Sequence, residues 1–194
     1  MNDLDETSTR VLRIAQELKT RTCKDEGGIA DINSIVVLQQ GDRYLCVQSQ
    51  LDGHPIDNLP EHLGIIARQG VPEFDSISFV IDTFYKKGRK QSDGSYIKEE
   101  KPEGSYAKEY AENPDSEIKQ ALCVLTYTQD GQTKGGSIAY HYDDHGQPVY
   151  YEMKSDEPNE PNETDEAPIF VSPKIDFVMT KFIKWCKEKQ AELN

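Results

Sequence analysis

The sequence has few of the features that announce a chemistry. Across its 194 residues there is no G-x-x-x-x-G-K-[ST], and the letters of "GQTKGGS" fall in the wrong order to cradle a phosphate. No G-x-G-x-x-G follows a strand-like run, and no G-x-S-x-G elbow, H-E-x-x-H or EF-hand loop occurs. The four cysteines stand singly at 23, 46, 123 and 186. Without a C-x-x-C pair, a zinc knuckle or thioredoxin-type motif is excluded. Cys46 and Cys123 lie in apolar, strand-like runs, where a reduced thiol behaves as a small hydrophobe and is expected to be buried or inert.

Long apolar runs are missing too. None approaches the roughly 20 residues of a membrane span. The opening "MNDLDETSTR" carries acids where a secretory signal has a basic region and an apolar run. A reducing cytoplasm is therefore the expected location, and the Asn162-Glu163-Thr164 sequon carries no weight there. Positive charge is also scarce: 22 Lys and Arg face 35 Asp and Glu, for a net charge of −13 and a pI of about 4.7. Such a balance repels phosphate backbones and disfavours nucleic-acid binding.

The excess acid is unevenly spread. Residues 141–168 hold nine Asp or Glu and one Lys, and residues 1–9 add three acids, whereas residues 173–194 are net basic by two. Imitation of DNA needs carboxylates on ordered surfaces at phosphate-like spacing. The densest run here is "SDEPNEPNETDE" (155–166), with six acids, two prolines and no apolar residue, which reads as a solvated loop.

What is present is the pattern of one ordinary domain over residues 1–194. Val11, Ile14, Ala15 and Leu18 make one stripe of a first helix, with Thr7 or Ser8 as its cap and Lys19 and Arg21 near its end. Two β-rich runs, 34–39 and 43–50, bend at Gly41-Asp42 into a hairpin. A second helix is expected at about 59–69, capped by Asn58, with Pro60 in its first turn and Gly70 at its end. "SISFVIDTFY" (76–85) has apolar residues of both parities, as a central strand covered on both sides requires.

Residues 86–117 hold seven Lys or Arg and eight Asp or Glu with little apolar periodicity, although "GSYAKEYAE" suggests a short helix. A meander follows, with strands at 119–128, 135–142 and 148–153, its first turn at Asp130-Gly131 loosened by Lys134-Gly135-Gly136. Ser172-Pro173 opens a long final helix striped by Ile175, Val178, Phe182, Trp185 and Cys186. The order α-β-β-α-β-β-β-β-α, with adjacent hairpins, predicts an α+β fold. Its mainly antiparallel sheet has about five or six strands, packed with an N-terminal, a mid-chain and a long C-terminal helix. Long charged loops cover 86–117 and 154–171.

Three groups of residues are candidates for function. In an extended strand His141, Asp143 and His145 would share one side, as divalent-metal ligands do. Asp143 to Pro148 is turn chemistry, however, and a bend there destroys the shared parity. Asp82 interrupts an apolar run, and a buried carboxylate needs a partner. Paired with His141, and with His54 or His62 and a metal in support, it would form an acid–base site. At the strand's exit it would merely face solvent. Tyr127, Tyr140, Tyr142, Tyr150 and Tyr151 cluster in the meander, where they serve either as contact surface for a partner or as ordinary cross-strand packing.

No motif implies a cofactor. The expected function is that of a soluble acidic accessory or regulatory protein that binds another macromolecule, by a protein partner or by self-association. The alternatives are an enzyme using Asp82 and His141, and a regulatory domain with an apolar ligand pocket between sheet and helices.

Overall fold

The computed structural model of the chain describes residues 3–48, 55–86, 118–151 and 173–193. Within them the order of elements is α1 (Asp3–Asp25), β1 (Ile35–Gln40), β2 (Arg43–Gln48), α2 (Pro55–Arg68), β3 (Ser76–Lys86), β4 (Ile118–Thr128), β5 (Thr133–Tyr142), β6 (Pro148–Tyr150) and α3 (Pro173–Leu193). The strands form one sheet in the order β2-β1-β3-β4-β5-β6, and every neighbouring pair is antiparallel. The fold is α+β. The charged stretch 87–117, the short helix expected within it and the acidic run 155–166 lie outside the described residues.

Turn chemistry sets the hairpins. Gly41 at φ +56 sits first in the two-residue turn between β1 and β2, the place where a type II′ turn demands glycine. Between β4 and β5 the Thr128 amide donates to the Gln132 carbonyl, which leaves a three-residue loop closed by Gly131 at φ +91. That is the looser turn the glycine-rich flank predicts.

Alternate residues of β1, β3 and β4 enter two separate cores. On one face Val11, Leu12 and Ala15 of α1 pack on Ile35, Val37, Val80, Leu122, Val124, Ile138 and Tyr140. On the other, Leu59, Leu63 and Ile66 of α2 join Ile175, Met179, Phe182 and Ile183 of α3. Together they cover Val36, Leu38, Ile77, Phe79, Ile81, Cys123 and Leu125. β3 is central and buried on both sides, as its double parity predicts. At roughly 25 cal/mol per Å² of apolar surface removed from water, these two layers supply the main driving force for the fold.

Three local expectations are corrected. α1 begins at Asp3, so Ser8 is not its cap. Ser8 lies inside the helix and donates from Oγ to Thr126 Oγ1 at 3.1 Å; Thr126 in turn shares a 2.8 Å hydrogen bond with Ser78. This hydroxyl chain satisfies three groups buried under the helix. α2 begins at Pro55, which places Pro60 within the helix. Burial of Leu59, Leu63 and Ile66 sustains the helix despite the amide donor that proline lacks. Cys46 is exposed, because β2 is the edge strand of the described sheet, whereas Cys23, Cys123 and Cys186 are buried.

Candidate functional site

Asp82 is on β3 with the parity of Ser78 and Val80, and so faces α1. α1 brings Lys19 over it. Lys19 follows Val11 and Ala15 at helical spacing, which puts it in the middle of the buried stripe, and its side chain is wholly excluded from solvent. Its Nζ lies 2.6 Å from Asp82 Oδ2 and 3.4 Å from Asp31 Oδ1; the Asp82 side chain is 5 % exposed and that of Asp31 72 %. Tyr140 Oη donates to the other Asp82 oxygen at 2.6 Å. The ammonium also stands 5.2 Å and 5.4 Å from the ring centroids of Tyr140 and Tyr142, within cation–π range. Tyr140 and Tyr142 meet edge to face at 5.6 Å, and the Tyr150 hydroxyl donates to the Gln16 carbonyl of α1.

Burial disfavours both charges, and the pair answers it. Burial pushes the Asp82 carboxyl above the usual carboxylate range, while Lys19 and the Tyr140 hydroxyl pull it back. At Lys19 burial acts to lower the pKa, but the adjacent carboxylate overrides it and holds the ammonium above the ordinary lysine range. Burial followed by the Asp82 charge drives the Tyr140 phenol far above its usual value. The Lys19 ammonium is engaged by the Asp82 carboxylate and shielded from solvent. A carboxylate with both oxygens engaged is poorly placed to take a substrate proton. The arrangement neutralises itself and fastens a helix to a sheet.

His141 is not brought to Asp82. Tyr140 faces α1, so the next residue projects from the opposite face, where the His141 ring lies 5.3 Å from that of Tyr151. His62 is buried on α2, with Nδ1 2.8 Å from the Asn58 carbonyl, and His54 lies outside the described residues. Nor does the hairpin tip gather a metal site. Asp143 Oδ1 accepts the backbone amides of His145 and Gln147 at 2.9 and 2.8 Å, which holds its carboxyl below the usual range. Among the described residues no three His, Cys, Asp or Glu side chains come together as metal ligands. Gly146 closes this turn at φ +72, and a Cβ there would stand 2.8 Å from the Ile29 amide nitrogen and 2.9 Å from Gly28 Cα. The bend thus packs directly on the segment that follows α1.

The five tyrosines divide between the faces. Tyr127 is buried on the α2 and α3 side, where burial raises its pKa to about 12. Tyr140 is fully buried, and Tyr142 and Tyr150 are half-buried, beneath α1. Tyr151 reaches the surface at 37 % exposure, close to His141 and to Val149 at 41 %; Val149 is the register partner of His141. No residue of β5 or β6 belongs to the core formed with α2 and α3.

Lys19 is the residue that sequence reasoning missed. Its signal was the spacing from Val11 and Ala15, masked by its suitability for a helix end. An open groove of about 470 Å³ runs along the surface of α1, lined by Arg13, Gln16, Glu17, Thr20, Arg21 and Lys24, and it does not lie between the sheet and its helices, where the ligand-pocket alternative places its enclosure. No described helix is long and apolar enough to cross a membrane. Compared with models of known protein families, with curated proteins and with solved structures, the chain matches none of them.

Proposed function

We propose that this chain is an accessory protein that acts by binding a protein partner at the β5–β6 end of its sheet. The observation that carries the reading is the side-by-side exposure of His141, Val149 and Tyr151 on the face that the core of α2 and α3 leaves out. Rings and a β-branched side chain bury much area at small entropic cost, which suits the centre of an interface. Asp143 and Asp144 border this patch at the hairpin tip, so the fitting partner has an apolar centre with basic side chains beside it. The enzymatic alternative loses its pair, because Asp82 and His141 face opposite sides of the sheet.

The test is cross-linking capture from the native host extract with wild type, a Val149→Glu/Tyr151→Glu variant and a Lys181→Glu variant on α3. Proteins captured by wild type and Lys181→Glu but lost with the double variant support the reading. Capture that is equal for all three, or absent with wild type, overturns it.

A further inference from the structure

The opposite edge of the sheet is a second surface. β2 pairs with β1 on one side only, and no described strand lies on its other side. It is six residues long, free of proline, with Leu45 51 % exposed and Cys46 exposed. Edge strands of this length are usually blunted by a charge, a bulge or a proline. β2 has one charge, Arg43, at its very start.

The hairpin fixes which backbone groups point outward. The pair flanking a two-residue turn, Gln40 and Arg43, is hydrogen-bonded, so Arg43, Leu45 and Val47 direct their amides and carbonyls toward β1. Tyr44, Cys46 and Gln48 direct theirs away from the sheet. We infer that two copies of this chain associate by antiparallel pairing of β2 with β2, Cys46 meeting Cys46 of the second copy at the twofold axis. A twofold axis normal to the sheet keeps like faces together and so pairs residues of like parity. Among such registers, Cys46 opposite Cys46 and Tyr44 opposite Gln48 uses all three outward residues.

The side chains fit this register. Leu45 comes opposite Val47 on the α2 and α3 face, which covers the exposed leucine. The two Arg43 side chains end six residues apart along the ladder, roughly 20 Å, beyond the screening length of physiological salt. The other edge strand suits self-pairing less well: β6 has three residues and is followed in sequence by the acidic run 155–166. Six-residue pairing is a small interface, so the dimer is weak and exchanges quickly. The inference is independent of the β5–β6 surface.

Sedimentation of the full chain from 5 to 500 µM, in 0.5 M NaCl with reductant, is the test. Wild type is expected to rise from 22.0 kDa toward twice that mass. Cys46→Lys, an edge lysine on an exposed position, should weaken association at least tenfold with an unchanged thermal melt. Cys46→Ser should leave association intact, since the backbone carries it. A short bismaleimide should join Cys46 to Cys46 in wild type. Mass that stays at 22.0 kDa throughout, or a dimer indifferent to Cys46→Lys, overturns the inference.

Discussion

Lys19 Nζ and Asp82 Oδ2 lie 2.6 Å apart across the boundary between α1 and β3, with the lysine sealed from water. An ion pair in this setting stabilises little in itself, because desolvation offsets most of the attraction. Losing one partner is another matter. Asp82→Asn leaves a buried ammonium with only the exposed Asp31 as counter-charge, and the expected loss is about 3–5 kcal/mol. The triple variant Lys19→Met/Asp82→Leu/Tyr140→Phe removes all three polar groups together and should lose less than Asp82→Asn alone. Urea unfolding of both variants decides the point, and a triple variant less stable than the single one would show that the cluster contributes net stability.

The alkaline limb of stability should be set by the same cluster together with the buried Tyr127 of the opposite face. Lys19 has a folded pKa above its unfolded value, so its contribution is complete below about pH 10.4 and is lost only as pH rises through the higher folded value. Tyr127 and Tyr150, both raised to about 12 by burial, act in the same direction, with stability present below about pH 10 and lost toward 12. Absorbance at 295 nm should therefore show Tyr127 and Tyr150 ionising only at about pH 12 or on unfolding. Ionisation of all ten tyrosines in a single step near pH 10, with the protein folded, would contradict the packing beneath α1.

Gly146 is the most constrained turn residue. Gly146→Ala meets both a positive φ and a backbone 2.8 Å from the new Cβ. Gly131→Ala meets a φ of +91 with open space around it. The expected losses are on the order of 3 kcal/mol for the first and about 1 kcal/mol for the second. Thermal or denaturant unfolding separates them, and equal losses would mean that the hairpin tip does not press on residues 28–29.

Much of this architecture was legible because it rests on periodicity. The both-faces pattern of 76–85 places β3 at the centre, and the stripes of the first and last helices overlap their buried faces, although Ile14, Leu18, Val178 and Trp185 are only half-buried and Leu12, Lys19, Met179 and Ile183 are buried beside them. The candidate sites were less legible, for reasons that lie between elements. Parity along β5 separates Asp82 from His141, but only once the register β3–β4–β5 and the face taken by Tyr140 are known. Lys19 looked like a helix-end cation because its counter-ion is 63 residues away in sequence. Cys46 looked like a core residue because nothing in its neighbours tells an edge strand from an inner one.

The seat of α1 is keyed at two places. Ser8 must meet Thr126 near one end while Lys19 meets Asp82 toward the other. Sliding the helix by a single turn, about 5.4 Å, would strand an ammonium among aliphatic side chains and a hydroxyl without its mate. The polar contacts therefore act as a ruler: aliphatic packing gives the helix adhesion, and these two contacts admit one docking position.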